Sequence, residues 1–223
     1  MKGTEALEIW KSSLERPRAH RHRNAVKWKL TQLDEPHVAP LNAWVRELRV
    51  ACGGGESVPW FDPAGGGVHA PIVMLLEAPG ARAVGAGSAR PEAQGSGIIS
   101  IDNNDQTAAT CHRYLSEAGI RRDQVVSWNI VPWYVGDGSR IRAVNTADLA
   151  KARPYLGQFL ALLEWPRVVL LCGRKAQEGW ARAEPRFSGV VMDTPHPSVR
   201  GLNAPGARER FPAVLAQARS IAG

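Results

Sequence analysis

One short stretch, Pro71 to Gly80, constrains the fold of this chain more than any other. Residues 72–76 form an unbroken apolar run that is too short for a helix. Such a run is typical of a strand buried on both faces, as in a parallel sheet covered by helices. The run stops at Glu77-Ala78-Pro79-Gly80, where proline and glycine favour a turn. Glu77 is therefore either solvated on a surface turn or placed where open α/β sheets bind ligands, beyond the strand ends.

Three further apolar runs predict the remaining strands, at residues 125–131, 167–172 and 190–192. Helical patterns follow the four strands in turn, over residues 107–118, 148–163, from 175 onwards, and 208–222. Pro154 is expected in the first turn of its helix or at a kink. The alternation predicts an α/β fold, with a central four-stranded parallel sheet and helices on both faces.

The chain before this pattern reads as a helical, basic N-terminal extension over residues 1–57, followed by the α/β domain at 58–223. Helices are predicted at 4–14 and 40–50. Between them, the basic run from Arg16 to Lys29 contains Trp28. It is either a contact for a phosphate backbone or a solvated face. Residues 58–67 are rich in proline and glycine and predict a loop, and residues 81–97 predict a second, longer loop.

Composition narrows the class of protein. The formal net charge of +7 points to a polyanionic partner such as nucleic acid. The three cysteines, Cys52, Cys111 and Cys172, are far apart, which argues against a disulfide framework or a metal site of local spacing. Apolar runs are too short to span a membrane, and no apolar signal segment opens the sequence. We expect a monomeric cytoplasmic protein associated with the bacterial nucleoid, without membrane contact or metal.

Polar side chains stand at or just beyond the carboxyl ends of three predicted strands: Glu77, Asn129 and His196. Because parallel strands end at the same edge of a sheet, one pocket can collect this carboxylate, amide and imidazole. Each residue also has a structural reading. Asn129 could satisfy buried backbone groups, and an isolated histidine is often part of the core.

The residues at these strand ends resemble the motifs of the uracil-DNA glycosylase superfamily. Glu77-Ala78-Pro79-Gly80 is similar to the first motif in the EAPG form of its thermophile-type branch, and His196-Pro197-Ser198 is similar to the second, HPS. Asn129 matches the asparagine that reads the base in that family. The resemblance covers roughly residues 73–218.

The resemblance implies a role for each matched residue. Glu77 and His196 would be catalytic, Glu77 towards water and the sugar, and His196 towards the departing base. Asn129, Ile98 and Ala78 would bind the base. The remaining residues of both motifs, Pro79, Gly80, Pro197 and Ser198, would contact the DNA. A loop that wedges into the DNA would include Val199, Arg200 and Leu202.

Two departures from the family pattern affect what is expected. The family commonly stacks a phenylalanine on the flipped base, and the matching segment here is Gly95-Ser96-Gly97-Ile98, so Ile98 would replace the ring. Base–aromatic stacking is worth about 1–3 kcal/mol. The thermophile-type branch also holds an iron–sulfur cluster through four cysteines. This chain has three, at other positions, and we expect no cluster and no other cofactor.

The leading hypothesis is a monofunctional DNA glycosylase that excises uracil or another deaminated base. The alternative is a non-catalytic protein of the same fold that binds damaged or single-stranded DNA, motivated by Ile98. A hydrolase using Ser198 and His196 is a third reading, although no G-x-S-x-G motif is present. A nucleotide cofactor is not expected, because no phosphate-binding glycine fingerprint follows the first strand.

Overall fold

A computed structural model of the chain describes residues 16–52, 57–84, 95–136 and 141–223. The helix predicted at 4–14 and most of the loop predicted at 81–97 lie outside these residues. The described parts contain six strands and seven α-helices. The strands are β1 (Trp60–Phe61), β2 (Ile72–Leu76), β3 (Ile98–Ile99), β4 (Val125–Asn129), β5 (Val168–Cys172) and β6 (Val190–Thr194). The helices are α1 (Arg23–Leu30), α2 (Ala39–Ala51), α3 (Gln106–Glu117), α4 (Thr146–Ala161), α5 (Arg174–Ala183), α6 (Val199–Leu202) and α7 (Ala207–Ala222).

The main sheet has the strand order β4-β2-β5-β6, and all of its strand pairs are parallel. This confirms the α/β fold predicted from the apolar runs. Side chains alternate along β2, so that Val73 and Leu75 face one core and Ile72 and Met74 face the other. Helices α2, α4 and α5 cover the first face, and α3 and α7 cover the second.

A second, two-stranded parallel sheet pairs β1 with β3, and Trp60 aligns with Ile98. The prediction of a loop over 58–67 was wrong at β1. Two residues are too few to show the alternation of a strand, and their hydrogen-bonding partner lies far along the chain. Pro154 is inside α4, beyond the first turn in which one reading had placed it.

Helix α2, which precedes the family-like region, shares the core of the sheet. Trp44 of α2 packs on Trp128 of β4 with ring centroids 5.4 Å apart, and on Phe159 of α4 at 6.3 Å. Phe61 of β1 stacks on Trp128 at 4.2 Å. These rings bury large apolar area in one cluster. Within the described ranges, no helix has the length and apolar character needed to cross a membrane.

Candidate active site

A cleft of about 640 Å³ opens at the carboxyl edge of the main sheet. Glu77, Asn129 and His196 all line it. Strands β2 and β4 are neighbours, and Leu76 aligns with Asn129, so Glu77 and Asn129 leave the sheet side by side. His196 follows β6, which lies across β5 from them. The topology thus brings together the three side chains that sequence analysis had singled out.

Glu77 is held at the rim of the sheet by backbone and side-chain contacts. Its carbonyl oxygen accepts a hydrogen bond from the Val131 amide at 3.0 Å, which extends the β2–β4 pairing past the strand ends. Its Oε1 accepts from the Val144 amide at 3.4 Å. A capping box between Asn145 and Asp148 begins α4 directly after Val144 and fixes that amide. The half-buried carboxylate is therefore oriented by the chain that enters α4.

Asn129 is 3% exposed, and its Nδ2 has no hydrogen-bond partner among the described residues. A buried donor left without a partner costs about 1–3 kcal/mol. This nitrogen therefore does not satisfy buried backbone groups, which was the structural alternative for Asn129. An unpaired donor that lines a cleft is instead available to a ligand.

His196 is half-buried, and its Nδ1 accepts a hydrogen bond from the Ser198 amide at 3.1 Å. Since Nδ1 is the acceptor, the proton of the neutral ring is on Nε2. Burial lowers the pKa of His196 to about 4. The imidazole is therefore neutral at physiological pH and presents an Nε2–H donor.

Two glycines that sequence analysis did not single out allow the His196 loop to pack. Gly173, between β5 and α5, has φ +89°, and a Cβ there would lie 2.8 Å from the His196 Cβ. A Cβ on Gly201 in α6 would overlap the His196 carbonyl oxygen. Any larger residue would force His196 to move. In sequence, the signal was a glycine directly after a buried strand, at Gly173.

Ser198 caps α6, because its Oγ accepts a hydrogen bond from the Gly201 amide at 3.1 Å. His196 Nδ1 contacts the amide of Ser198 and leaves its hydroxyl without a base at that nitrogen. This arrangement does not support the reading of Ser198 and His196 as a nucleophile and its base. In the same turn, Val199 is 53% exposed, whereas Leu202 is buried against α7. Leu202 is therefore unavailable as a wedge residue, which corrects that expectation.

The first motif continues the wall of the cleft. Ala78, Pro79 and Gly80 line it, with Ala78 half-buried, Pro79 buried and Gly80 exposed. A Cβ on Gly80 would meet no atom of the described residues within 4 Å, and Gly80 is itself exposed. In the second motif, Pro197 is buried and Arg200 is exposed at the cleft.

Ile98 does not line the cleft. It is 0% exposed in the small sheet, and Ile99 and Ile101 line the cleft instead. The expectation that Ile98 replaces a stacking ring was therefore wrong. Pairing of β3 with β1 turns Ile98 into the core. Among the described lining residues none is Phe, Tyr or Trp.

The cysteines do not converge on a metal site. Cys111 and Cys172 are buried in the core on the α3–α7 face, whereas Cys52 packs against the opposite core. Burial raises the pKa of the Cys111 thiol to about 12, which disfavours the thiolate that metals bind. These residues do not fit a four-cysteine iron–sulfur cluster. Across the described ranges, no group of three or more His, Cys, Asp or Glu side chains is arranged to hold a metal ion.

Part of the basic N-terminal run is buried next to residues that line the cleft, among them Ser100 and Asn103. Lys29 is 1% exposed, and its Nζ lies 2.7 Å from Asp62 Oδ1 and 2.6 Å from Asp102 Oδ2. Arg122 completes a buried charge network, with Nη2 2.6 Å from Asp102 Oδ2. His20 is also buried, and its Nδ1 pairs with Asn103 Oδ1 at 2.8 Å. Lys29 and His20 are therefore not placed to contact a phosphate backbone, and they do not lie on a solvated face.

A comparison with protein-family models matches residues 65–218 to the uracil DNA glycosylase superfamily. The match spans more than half of the chain. The chain belongs to the uracil-DNA glycosylase superfamily. A search of curated proteins finds no match. Superfamily membership supports an enzyme of the DNA glycosylase type, with DNA as its substrate, and the suspected relationship is thereby confirmed.

Proposed function

We propose that this superfamily member is a monofunctional DNA glycosylase that hydrolyses the N-glycosidic bond of a deaminated base in DNA, foremost uracil. The observation that carries the proposal is the buried Asn129 Nδ2, which has no partner among the described residues, in the same cleft as Glu77 and a neutral His196. A base inside a duplex is out of reach, so the nucleotide must rotate into the cleft before reaction.

Asn129 is suited to read the edge of a pyrimidine. Its Nδ2 donates to a carbonyl oxygen of the base, while its Oδ1 accepts from a ring N–H. Uracil presents this acceptor and donor side by side. Cytosine has an acceptor at the ring nitrogen and a donor amino group in these places, which would face the amide with the wrong polarity.

His196 is suited to stabilise the departing base. As the glycosidic bond breaks, its electron pair moves to the base and negative charge develops on a carbonyl oxygen. The Nε2–H of the neutral imidazole donates to that oxygen. A positioned donor at a developing oxyanion typically contributes about 10²–10³ in rate.

Glu77 is suited to act on the sugar and on the attacking water. Its carboxylate offsets positive charge on the oxocarbenium-like sugar and orients a water molecule towards C1′. The water oxygen bonds to C1′, the bond from C1′ to the base breaks, and a water proton passes to Glu77. The amide of Val144 holds the carboxylate in this orientation.

The residues around these groups would hold the DNA. Ala78 would contact the base. The exposed backbone at Gly80, which follows the buried Pro79, allows close approach of a phosphate. Pro197 and Ser198 fix the second loop. Exposed Val199 and Arg200 face the duplex, with Val199 as the wedge into the base stack.

The test is a base-release assay with labelled oligonucleotides that carry one uracil, hypoxanthine or xanthine, as single strands and as duplexes. Alkali cleaves the strand at each abasic site. We expect uracil release by the wild type, and a loss of about 10²-fold or more in kcat for both Glu77→Gln and His196→Asn. Glu164→Gln, an exposed glutamate before β5 at the opposite edge of the sheet, should match the wild type.

A second function, binding of damaged DNA without catalysis, is favoured by the cleft wall. No aromatic ring stands among its described lining residues, so a flipped base lacks a stacking partner that would hold it in place for reaction. Tight binding of uracil-containing duplex with no base release from any of the three substrates would establish this function and exclude the glycosylase.

A further inference from the structure

The segment before the matched family region is unusually one-sided in charge. Residues 16–30 carry six Lys or Arg and two His, and no Asp or Glu. Buried positions follow helical spacing at Ala25, Val26 and Lys29, so α1 has an inner and an outer side. The exposed cations, Arg16, Arg21, Arg23 and Lys27, form a surface that we call the basic face.

The basic face is held at the rim of the cleft. Arg23 Nη1 donates to the Gly95 carbonyl at 3.4 Å, and the His20 amide donates to the Asp102 carbonyl at 3.0 Å. Arg18 donates to Asn104 Oδ1 at 3.4 Å and to Gln106 Oε1 at 2.8 Å. Asp102, Asn104 and Gln106 flank Asn103, Asp105 and Thr107, which line the cleft.

The anchoring of this segment makes its exposed charges effective. Lys29 and His20 fix the segment through the buried network, so the basic face does not have to be ordered when a ligand binds. Preorganised charges lose less conformational entropy on binding than those on a mobile arm. At another part of the cleft, Arg142 and Arg200 are also exposed, although Arg142 is paired with Asp148.

We infer that the basic face is a DNA-backbone contact outside the matched family region, which grips phosphates beside the flipped nucleotide. This inference rests on the proposed function for the position of the DNA. Phosphate contacts by Lys and Arg carry no base information. They add affinity that falls as salt displaces them from the backbone, with a slope of about 0.9 per contacted phosphate in log Kd against log salt.

The experiment measures binding of a fluorescent duplex without any deaminated base, as a function of salt, for the variant R21Q/R23Q/K27Q. We expect Kd to rise about tenfold or more at 0.1 M salt and the salt slope to fall by about 2 to 3. The control R153Q/R182Q/R186Q removes the same charge from exposed positions on and after α4 and α5, and it should change both quantities less.

Two measurements keep the inference separate from protein stability and from catalysis. The variant R21K/R23K keeps the charge and should retain the wild-type salt slope, and the unfolding midpoints of all variants should agree. On saturating uracil duplex, kcat of R21Q/R23Q/K27Q should equal that of the wild type while KM rises. A wild-type Kd and slope in R21Q/R23Q/K27Q would overturn the inference. Absence of base release from the wild type would instead contradict the proposed function.

Discussion

At the scale of single residues, the state of His196 decides what it can do. Its folded-state pKa of about 4 lies below the ordinary 6.5 because burial disfavours the charged ring. Protonation at Nδ1 would also place a second donor against the Ser198 amide. The neutral ring with its proton on Nε2 is therefore the form that lines the cleft through the whole physiological range.

This lowered pKa predicts how stability depends on pH. The unfolded chain takes up the proton at about pH 6.5 and the folded chain at about 4, so folding is disfavoured by His196 as pH falls through that window. The difference in unfolding free energy between wild type and His196→Asn should be constant above about pH 7 and should shift against the wild type from there to pH 4. Urea unfolding at a series of pH values measures it. An NMR titration of the ring with a midpoint near 6.5 would contradict the assignment.

The positions of the site residues were predictable from sequence only in part. Glu77, Asn129 and His196 could be placed together because parallel strands end at one edge and each residue follows an apolar run. The burial of Ile98 could not be predicted, because its direction depends on pairing with Trp60, which is distant in sequence. The unpaired Nδ2 of Asn129 likewise depends on neighbours that only the fold assembles.

At the scale of elements, the four main strands were predictable from apolar runs bounded by turn residues, and their observed ends agree with the predicted ones to within two residues. The two-residue strands β1 and β3 and the four-residue helix α6 were not predicted. Each is too short for a periodic pattern, and each is fixed by contacts with distant parts of the chain. These short elements nevertheless position the cleft, since β3 contains Ile99, which lines it, and α6 follows His196.

The junction between β5 and α5 yields a prediction at this scale. Gly173→Ala places a methyl group against the His196 Cβ and strains a backbone with φ +89°. We expect kcat for base release to fall at least tenfold, because His196 must move, while binding of undamaged duplex stays unchanged. Gly157→Ala is the matched control, since its Cβ would meet no atom within 4 Å in the part of the chain that the structure describes. Alanine there should slightly stabilise α4. Wild-type kcat in Gly173→Ala would show that His196 position is not limiting.

At the scale of the whole molecule, the buried charge network joins parts of the chain that sequence alone keeps apart. Lys29 comes from α1 and Asp62 directly follows β1. Asp102 lies between two residues that line the cleft, and Arg122 lies just before β4. Burial opposes ionisation of Asp62, yet Lys29 and Arg122 hold the pKa of its carboxyl below the usual range. Sequence analysis treated the basic run as one unit and did not separate its buried cation, Lys29, from its exposed ones. Buried and exposed cations look alike in sequence.

Removal of Lys29 should therefore lower the stability of the fold and weaken substrate binding in the cleft. Lys29→Met leaves Asp62 and Asp102 buried with Arg122 as their remaining partner in the network, and breaking such a buried pair typically costs about 3–5 kcal/mol. Lys27→Met, on the exposed side of the same helix, should change the unfolding free energy by no more than about 0.5 kcal/mol. Urea unfolding at pH 7 compares the two variants. Because Asp102 holds the chain that lines the cleft, KM for uracil duplex should also rise in Lys29→Met where it remains folded. Equal stability of the two variants would show that the network does not tie the N-terminal segment to the fold.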